Sequence, residues 1–368
     1  MDKLRIAVIG FGSIGEKHVA SMMSGETPRL ELAAVCIRSP ERQAVFRKTY
    51  PGVPIFADTE ELYRNGRFEA VLLATPHYSH PGQAIEAFSH SFHVLTEKPS
   101  GVYTKQVREM NTAAARSGKV FSIMYNQRAD PLYRKLREMI RSGELGQLKR
   151  VNWTVTHWYR SQAYHDSSPW HSTWSGEGGG VLINQSIHQL DLWQWIFGMP
   201  DRIWARAGFG KYHTIQVEDD VTAYFEYDSG LTGTFITSTG ETPGTNRLEI
   251  ACDMGKVVLE DGCLRFWRNE VSERTFEREN IEPFGKPACR EVKVPVDDSG
   301  LSGHAAILND FADAVLDGTE LLARGGDGIQ AVTIANSILL SAWTGETVET
   351  RNFPDDRYFA LLWKAEGQ

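Results

Sequence analysis

Cysteine is scarce in this 368-residue sequence: Cys36, Cys252, Cys263 and Cys289 lie far apart, and none belongs to a CxxC pair. That spacing argues against a redox couple or a zinc site and reads as reduced, buried thiols of a cytosolic chain. Positive charge is also in short supply. The formal net charge is −8 and no segment is rich in Lys or Arg, so nucleic acid is not an expected partner. Long apolar runs are missing too. MDKLRIAVIGFG reaches glycine after a few apolar residues, too soon for a signal peptide, and nothing later approaches a membrane span. The cytoplasm is therefore the expected location, with no membrane partner. Internal repeats and low-complexity segments are not visible. What remains is an ordinary globular composition, 41% hydrophobic and 23% charged, on a chain long enough for two domains.

The first third alternates between two periodicities. LRIAVI (4–9) is a short strand-like run, followed by Gly10-Phe11-Gly12-Ser13-Ile14-Gly15 and the helical EKHVASMM. Further apolar runs at 30–37, 68–75 and 92–99 are separated by helical stretches at 41–50 and 81–90. Strands and helices alternating at this spacing predict a doubly wound parallel sheet. GxGxxG alone is weak evidence, but here it follows a strand and opens a helix, the context that dinucleotide binding requires. Glycines let the backbone approach a pyrophosphate, and the helix N-terminus offers free N–H groups to its charge.

About twenty residues after those glycines, an acid would select NAD by bonding the ribose 2′-OH. The sequence has Ile37, Arg38 and Ser39 instead. A guanidinium and a hydroxyl can hold a 2′-phosphate, which leans the reading to NADP, although Arg38 stacking over adenine accounts for it equally.

The remainder has a different grammar. YRKLREMIRSGELG reads as an amphipathic helix closed by glycine, and VNWTVTHW (151–158) as an alternating strand. DDVTAYFEY, LTGTFITST, LEIACD and GKVVLED read as strands of an antiparallel sheet. Helices are expected at 304–317 and 327–343, and a polar surface loop at 277–292.

Glu97-Lys98-Pro99 at the end of a Rossmann-type strand, followed some 80 residues later by GEGGGVLINQSIHQLD (176–191), resembles the glucose-fructose oxidoreductase / inositol dehydrogenase / MocA family. The likeness extends to ATPHYSH (74–80), NQR (126–128), GHAAILNDFADAV and SAWTGETV, essentially the whole chain. It implies a Rossmann domain over 1–125 and an α+β domain over 126–368 with a large, mainly antiparallel open sheet that mediates homo-oligomers, the last helix packing back on the first domain. It also implies nicotinamide chemistry on a small sugar, glycoside or cyclitol. Thr75, Pro76, His77, His80, Glu97, Lys98, Asn126 and Gln127 then join the glycine turn and Ile37–Ser39 as cofactor-binding candidates.

Oxidising a secondary alcohol requires a base for the hydroxyl proton beside the hydride acceptor. Lys98 is one candidate, because a cleft beside a positively charged oxidised cofactor disfavours its ammonium form. Glu97 is expected to orient Lys98 or the backbone. His188 is the other. A helix over 183–197 would put Ile183, Ile187, Leu190 and Phe197 on one stripe and Asn184, His188, Asp191 and Trp195 on the next, carrying Asn184 and His188 toward Lys98. The upstream glycines would let the chain pass close to substrate or nicotinamide, and Asp191 would orient His188 or act structurally. The resembled family often has aspartate at the position of Asn184. An amide cannot take a proton, so the base is Lys98 or His188, and one carboxylate near Lys98 is lost.

The stretch 153–174, WTVTHWYRSQAYHDSSPWHSTW, is rich in aromatic residues suited to the C–H faces of pyranose rings. Tyr159, Tyr164, Trp170 and His171 are the substrate candidates, with Asn184, Gln185, Lys98 and His188. Trp153 and Trp174 are as readily packing residues. His157, His165 and His171 match no standard zinc spacing, and hydride transfer needs no metal. The expectation is an NAD(P)-dependent dehydrogenase forming a keto sugar, C3 of a glucoside favoured. Its alternatives are an inositol dehydrogenase or keto-sugar reductase, a redox-elimination glycosidase and a non-catalytic dinucleotide sensor.

Overall fold

The computed structural model describes residues 2–367. Residues up to Ala129 form a compact unit together with Leu301–Val332, and Asp130–Gly300 with the chain from Thr333 onward form another. The first unit runs four residues past 125/126 and includes the segment 301–332. The last helix, Asp355–Ala365, stays with the second unit.

The first unit is built on six parallel strands, β1 (Leu4–Ile9), β2 (Leu30–Cys36), β3 (Ile55–Phe56), β4 (Ala70–Leu73), β5 (His93–Thr96) and β6 (Phe121–Ile123), in the order β3-β2-β1-β4-β5-β6. Helices cover both faces, so the strands must be apolar on both sides: every residue of β1 but Arg5 is buried, as is all of β4. Chain order reverses between β1 and β4, and the crevice beyond their carboxyl ends is where such sheets take ligands. The helix Gly303–Asp317 joins this unit through Arg29, whose guanidinium bonds Asp313 at 2.6 Å and also pairs with Asp317. The fully buried guanidinium of Arg128 meets Asp327 at 2.8 Å and the Leu322 carbonyl at 3.2 Å.

The second unit carries nine strands: β7 (Leu148–Val155), β8 (Arg202–Phe209), β9 (Glu218–Glu226), β10 (Thr232–Ser238), β11 (Asn246–Cys252), β12 (Gly255–Glu260), β13 (Cys263–Asn269), β14 (Cys289–Lys293) and β15 (Val348–Glu349). Their order is β14-β13-β12-β11-β7-β10-β9-β8-β15, antiparallel except where β7 runs parallel to β10. One face is buried and the other open, as the alternation in β9 shows: Val221, Ala223 and Phe225 are covered, Thr222 and Tyr224 exposed. The helix Ile187–Phe197 lies on the covered face. Its Trp193 meets Phe225 edge-on at 4.7 Å and stacks on Trp153 at 6.3 Å. Trp153 and Trp174 are accordingly core residues, Trp174 packing on Trp343 at 5.4 Å.

The α/β-plus-α+β class is the one expected, but several local expectations change. The loop expected at 277–292 contains the end of a helix, Glu273–Glu279, and all but the last residue of β14. β14 is an edge strand whose side chains are exposed except for a half-covered Val292, so it has no apolar alternation to detect. The helix expected over 183–197 begins at Ile187, because Ser186 bonds back to the Val181 carbonyl through both its amide and its hydroxyl. Cys36 and Cys252 are buried thiols, but Cys263 is half-buried and Cys289 exposed on β14, against the expectation of four buried cysteines.

Candidate active site

In the first unit, β1 ends at a turn that only glycine permits. Gly10 has φ +99° and a Cβ there would lie 2.4 Å from the Ala74 carbonyl oxygen; one on Gly15 would lie 2.2 Å from that of Gly10. The helix Ser13–Ser24 starts directly after Gly12, so Gly12, Ser13, Ile14 and Gly15 form its exposed N–H end at the β1/β4 crevice. Phe11 is buried against Phe46 at 5.0 Å, and its carbonyl accepts from Arg42. The ring therefore anchors the turn.

At the end of β2, Ile37 is buried and Arg38 exposed. Ser39 is the N-cap of the helix Pro40–Thr49, accepting from the Arg42 amide at 3.3 Å and donating to Glu41 Oε2 at 2.5 Å. Its hydroxyl is thus already engaged, and a carboxylate stands two residues beyond the position where the sequence showed none.

Thr75, Pro76 and His77 follow β4, with the Thr75 hydroxyl donating to Gln83 at 2.6 Å. His80 is buried. Its Nδ1 lies 2.8 Å from the Pro99 carbonyl oxygen and its Nε2 2.7 Å from that of Thr75. Burial lowers the pKa of this ring, while the two carbonyls and Glu97 pull it upward. A neutral ring carries a single N–H, so His80 donates to one of these two carbonyls, between the Thr75 loop and the Lys98-Pro99 turn.

Glu97 is buried at the end of β5. Its Oε1 accepts from His18 Nε2 at 2.6 Å and its Oε2 from the Lys98 backbone amide at 3.1 Å, so it orients the backbone that carries Lys98. Burial alone would raise its pKa. The His18 bond, with Lys98 nearby, holds it down at about 2. The His304 ring lies 5.5 Å from that of His18, and its Nδ1 faces Lys17 Nζ at 3.4 Å and Asn126 Nδ2 at 3.5 Å. Two donors on one nitrogen require the neutral ring, in line with burial lowering its pKa to about 4. Gln127 follows Asn126 in the same short turn, Asn126–Ala129. No spacing rule connects His18 or His304 to Glu97, and sequence reasoning missed both.

In the second unit, the glycine turn is built against β9. The Gly180 and Leu182 amides donate to Glu218 Oε1 at 2.9 and 3.1 Å, the Val181 amide donates to the Glu218 carbonyl at 3.0 Å, and a Cβ on Gly180 would lie 2.0 Å from that carbonyl oxygen. Gly180 is thus required by close packing on a strand, where an approach to ligand had been expected. Asn184 sits in this turn rather than on the helix, and His188 is the second residue of the helix. Asp191 is buried and accepts from Gln194 at 2.9 Å.

Tyr164, Trp170, His171, Asn184 and Gln185 are brought together. The Tyr164 hydroxyl lies 3.1 Å from Asn184 Nδ2 and 3.4 Å from Gln185 Nε2, its ring stacks on His171 at 5.1 Å, and His171 meets Trp170 at 4.3 Å. Tyr159 is exposed, and among the described residues no ring contact joins it to this cluster. Glu177, missed in the sequence, accepts from Asn184 with Oε1 and from the Ser172 amide with Oε2 at 2.7 Å. His165 serves structure: its Nδ1 bonds Ser172 Oγ at 2.5 Å, and its ring lies 4.6 Å from His213, which bridges Asp219 at 3.0 Å and the Arg160 carbonyl at 2.8 Å.

Comparison with known proteins matches the halves separately. Residues 4–125 match the oxidoreductase family's NAD-binding Rossmann fold, and residues 133–258 the GFO/IDH/MocA C-terminal domain. The chain belongs to the Gfo/Idh/MocA oxidoreductase family. It is 29% identical to D-glucoside 3-dehydrogenase of Escherichia coli over 62% of this chain and 68% of that protein. It is 27% identical to scyllo-inositol 2-dehydrogenase (NADP(+)) IolU of Bacillus subtilis over 77% and 84%. With two further relatives the match spans only 58% and 46% of their lengths. Among solved structures, the WlbA dehydrogenase of Bordetella pertussis in complex with NADH and UDP-GlcNAcA superposes with a TM-score of 0.81 at 22% identity, covering 94% of this chain and 98% of that one, a likeness of fold.

The buried Glu218 gives the glycine turn a pH dependence. Burial pushes its carboxyl up from 4.5 to about 7, against the pull of the amides that bond it. The folded state therefore binds the proton more tightly, so the stabilisation is complete below pH 4.5 and is lost as pH rises through 7. Glu218→Gln should flatten thermal stability across that window. The native protein should lose on the order of 3 kcal/mol there, and an unchanged slope in the variant would refute the assignment.

Proposed function

We propose that this chain is an NAD(P)-dependent dehydrogenase that interconverts a secondary hydroxyl of a sugar or glycoside and the corresponding ketone, with C3 of a glucoside favoured. The observation that carries the reading is the junction of the Gly10–Gly15 turn and Lys98 in one unit, through the buried His18–Glu97 bond. The similarity to a glucoside 3-dehydrogenase supports the regiochemistry. Bound nicotinamide would supply the hydride acceptor. Lys98 and His188 handle the proton, since Asn184 can only hydrogen-bond. Tyr164, Trp170 and His171 offer the aromatic surface for a pyranose.

Incubation with methyl β-D-glucoside and NAD⁺ or NADP⁺ should raise absorbance at the reduced-nicotinamide band and give an NMR carbonyl at C3; oxidation at another carbon would sink the regiochemical choice. Free sugar without net reduction would identify a redox-neutral glycosidase. Lys98→Ala and His188→Ala should each lower kcat/KM by about 10²–10⁴-fold.

Between the dinucleotides, we favour NAD. Ser39 is bonded to Glu41, which puts a carboxylate against the hydroxyl that a 2′-phosphate would need. Fluorescence titration should find NADH bound at least about tenfold more tightly than NADPH, with Glu41→Gln narrowing the gap, on the order of one charge contact. Equal affinities would refute it.

We further propose homo-oligomers through the open sheet face, where Trp204 and Tyr224 are exposed cross-strand partners and Arg206 lies 5.4 Å over the Trp204 ring. Light scattering should show Trp204→Glu shifted to smaller species, and a native monomer would overturn the assignment.

A further inference from the structure

The hydroxyl of Tyr164 is met by donors. Asn184 Nδ2 and Gln185 Nε2 approach it at 3.1 and 3.4 Å, and the Arg160 guanidinium lies 5.0 Å over the ring. The direction of the Asn184 amide is fixed from its other side, because the same Nδ2 also donates to Glu177 Oε1. Glu177 is buried, and its Oε2 is held by the Ser172 amide at 2.7 Å. A carboxylate has no proton to offer, so turning Asn184 round would set its carbonyl oxygen against Glu177. One amide hydrogen therefore goes to Glu177 and the other to Tyr164. The phenol accepts, and its own proton must point elsewhere. Burial, with Glu177 acting in the same direction, raises the Tyr164 pKa and keeps that proton on the oxygen. Among the described residues no acceptor receives it.

We propose that Tyr164 is a one-way hydrogen-bond donor to the substrate, with its polarity set by Glu177 through Asn184, so that the site selects a sugar presenting an oxygen lone pair over one presenting a protonated amine. The inference deepens the sugar-dehydrogenase reading and rests on it. Glu177 acts through Asn184 and is a positioning residue. The chain also accounts for the amide at 184: an aspartate there would face a second carboxylate and would accept the Tyr164 proton, reversing the donor.

The test compares methyl β-D-glucoside with its 2-, 3-, 4- and 6-amino-deoxy counterparts, read as KM and kcat or, without turnover, as binding by calorimetry. In the native protein at least one amino substitution should weaken binding by about tenfold or more. Tyr164→Phe should raise KM for the glucoside by about 2–10-fold with kcat less affected, and it should erase that discrimination. Glu177→Gln frees Asn184 to turn and should do the same, and the double variant should be no weaker than Tyr164→Phe alone. Additive losses, or equal affinity of the native protein for all five probes, would overturn the proposal. Unchanged NADH affinity checks that each variant is folded. A second measurement needs no sugar: in protein labelled with ¹⁵N-asparagine, the Asn184 amide protons should both be shifted by bonding, Tyr164→Phe releasing one and Glu177→Gln the other. An amide pair unmoved by both variants also overturns the proposal. If the native protein binds none of the five probes, the sugar reading falls, and the amide spectrum alone decides the polarity.

Discussion

The first unit depends on one buried carboxylate. Glu97 has almost no access to water, a position that costs several kcal/mol for an isolated charge, and His18 offsets that cost across 2.6 Å. The consequence is mechanical. His18 belongs to the helix that opens at the glycine turn, Glu97 ends β5, and His304 is brought beside them by the segment that returns from residue 301. Because the other oxygen of Glu97 holds the Lys98 amide, the candidate cofactor turn and the candidate base form one rigid object. His80 lies between the same regions, within hydrogen-bond distance of the Thr75 and Pro99 carbonyls, and donates to one of them. Removing either partner of the Glu97–His18 bond would leave a buried polar group exposed to its full desolvation cost.

The second unit solves an equivalent problem with the opposite electrostatics. Glu218 is also a buried carboxyl, but its ligands are backbone amides, and Glu177 is a like charge nearby. Burial raises its pKa to about 7 despite the amides, whereas Glu97, bonded to His18 and near Lys98, falls to about 2. Burial pushes both carboxyls up; at Glu218 it prevails over the amides that bond it, and at Glu97 the His18 bond reverses it. Each carboxylate holds a turn that presents a candidate catalytic residue, Lys98 in one case and His188 in the other.

What was legible in the sequence was whatever has a period or a required residue type. The Gly10–Gly15 turn, the parallel β/α alternation and the 304–317 helix follow from local rules, and they stand within a residue or two of the observed elements. The return of 301–332 to the first unit was not legible, since it depends on partners such as Arg29 with Asp317 and Arg128 with Asp327, separated by about 200 residues or more. His18 and His304 escaped for the same reason. β14 escaped because an edge strand exposed on both faces lacks alternation, and the start of the helix at Ile187 was misplaced because apolar spacing continues through a turn whose bonds run to β9 and Val181. Ser39, read as a phosphate ligand, also caps the helix that follows β2, a second role that the sequence reading did not assign it.

The amide at Asn184 shows why a single position is a poor unit for reading chemistry. Taken alone, asparagine where the resembled family often has aspartate subtracts one negative charge from the neighbourhood. The structure shows a carboxylate seven residues earlier, Glu177, in direct contact with that amide. Charge has not been removed but moved one bond outward, and the atom left facing Tyr164 has changed from an acceptor to a donor. An aspartate at 184 and a glutamate at 177 would repel each other across a hydrogen-bond distance, so the two positions constrain one another. It follows that the proton-handling capacity aspartate would have given position 184 does not pass to Glu177, whose two oxygens are already engaged by Asn184 and the Ser172 amide. The Glu177–Asn184 pair is reduced to setting which way the neighbouring hydroxyl points.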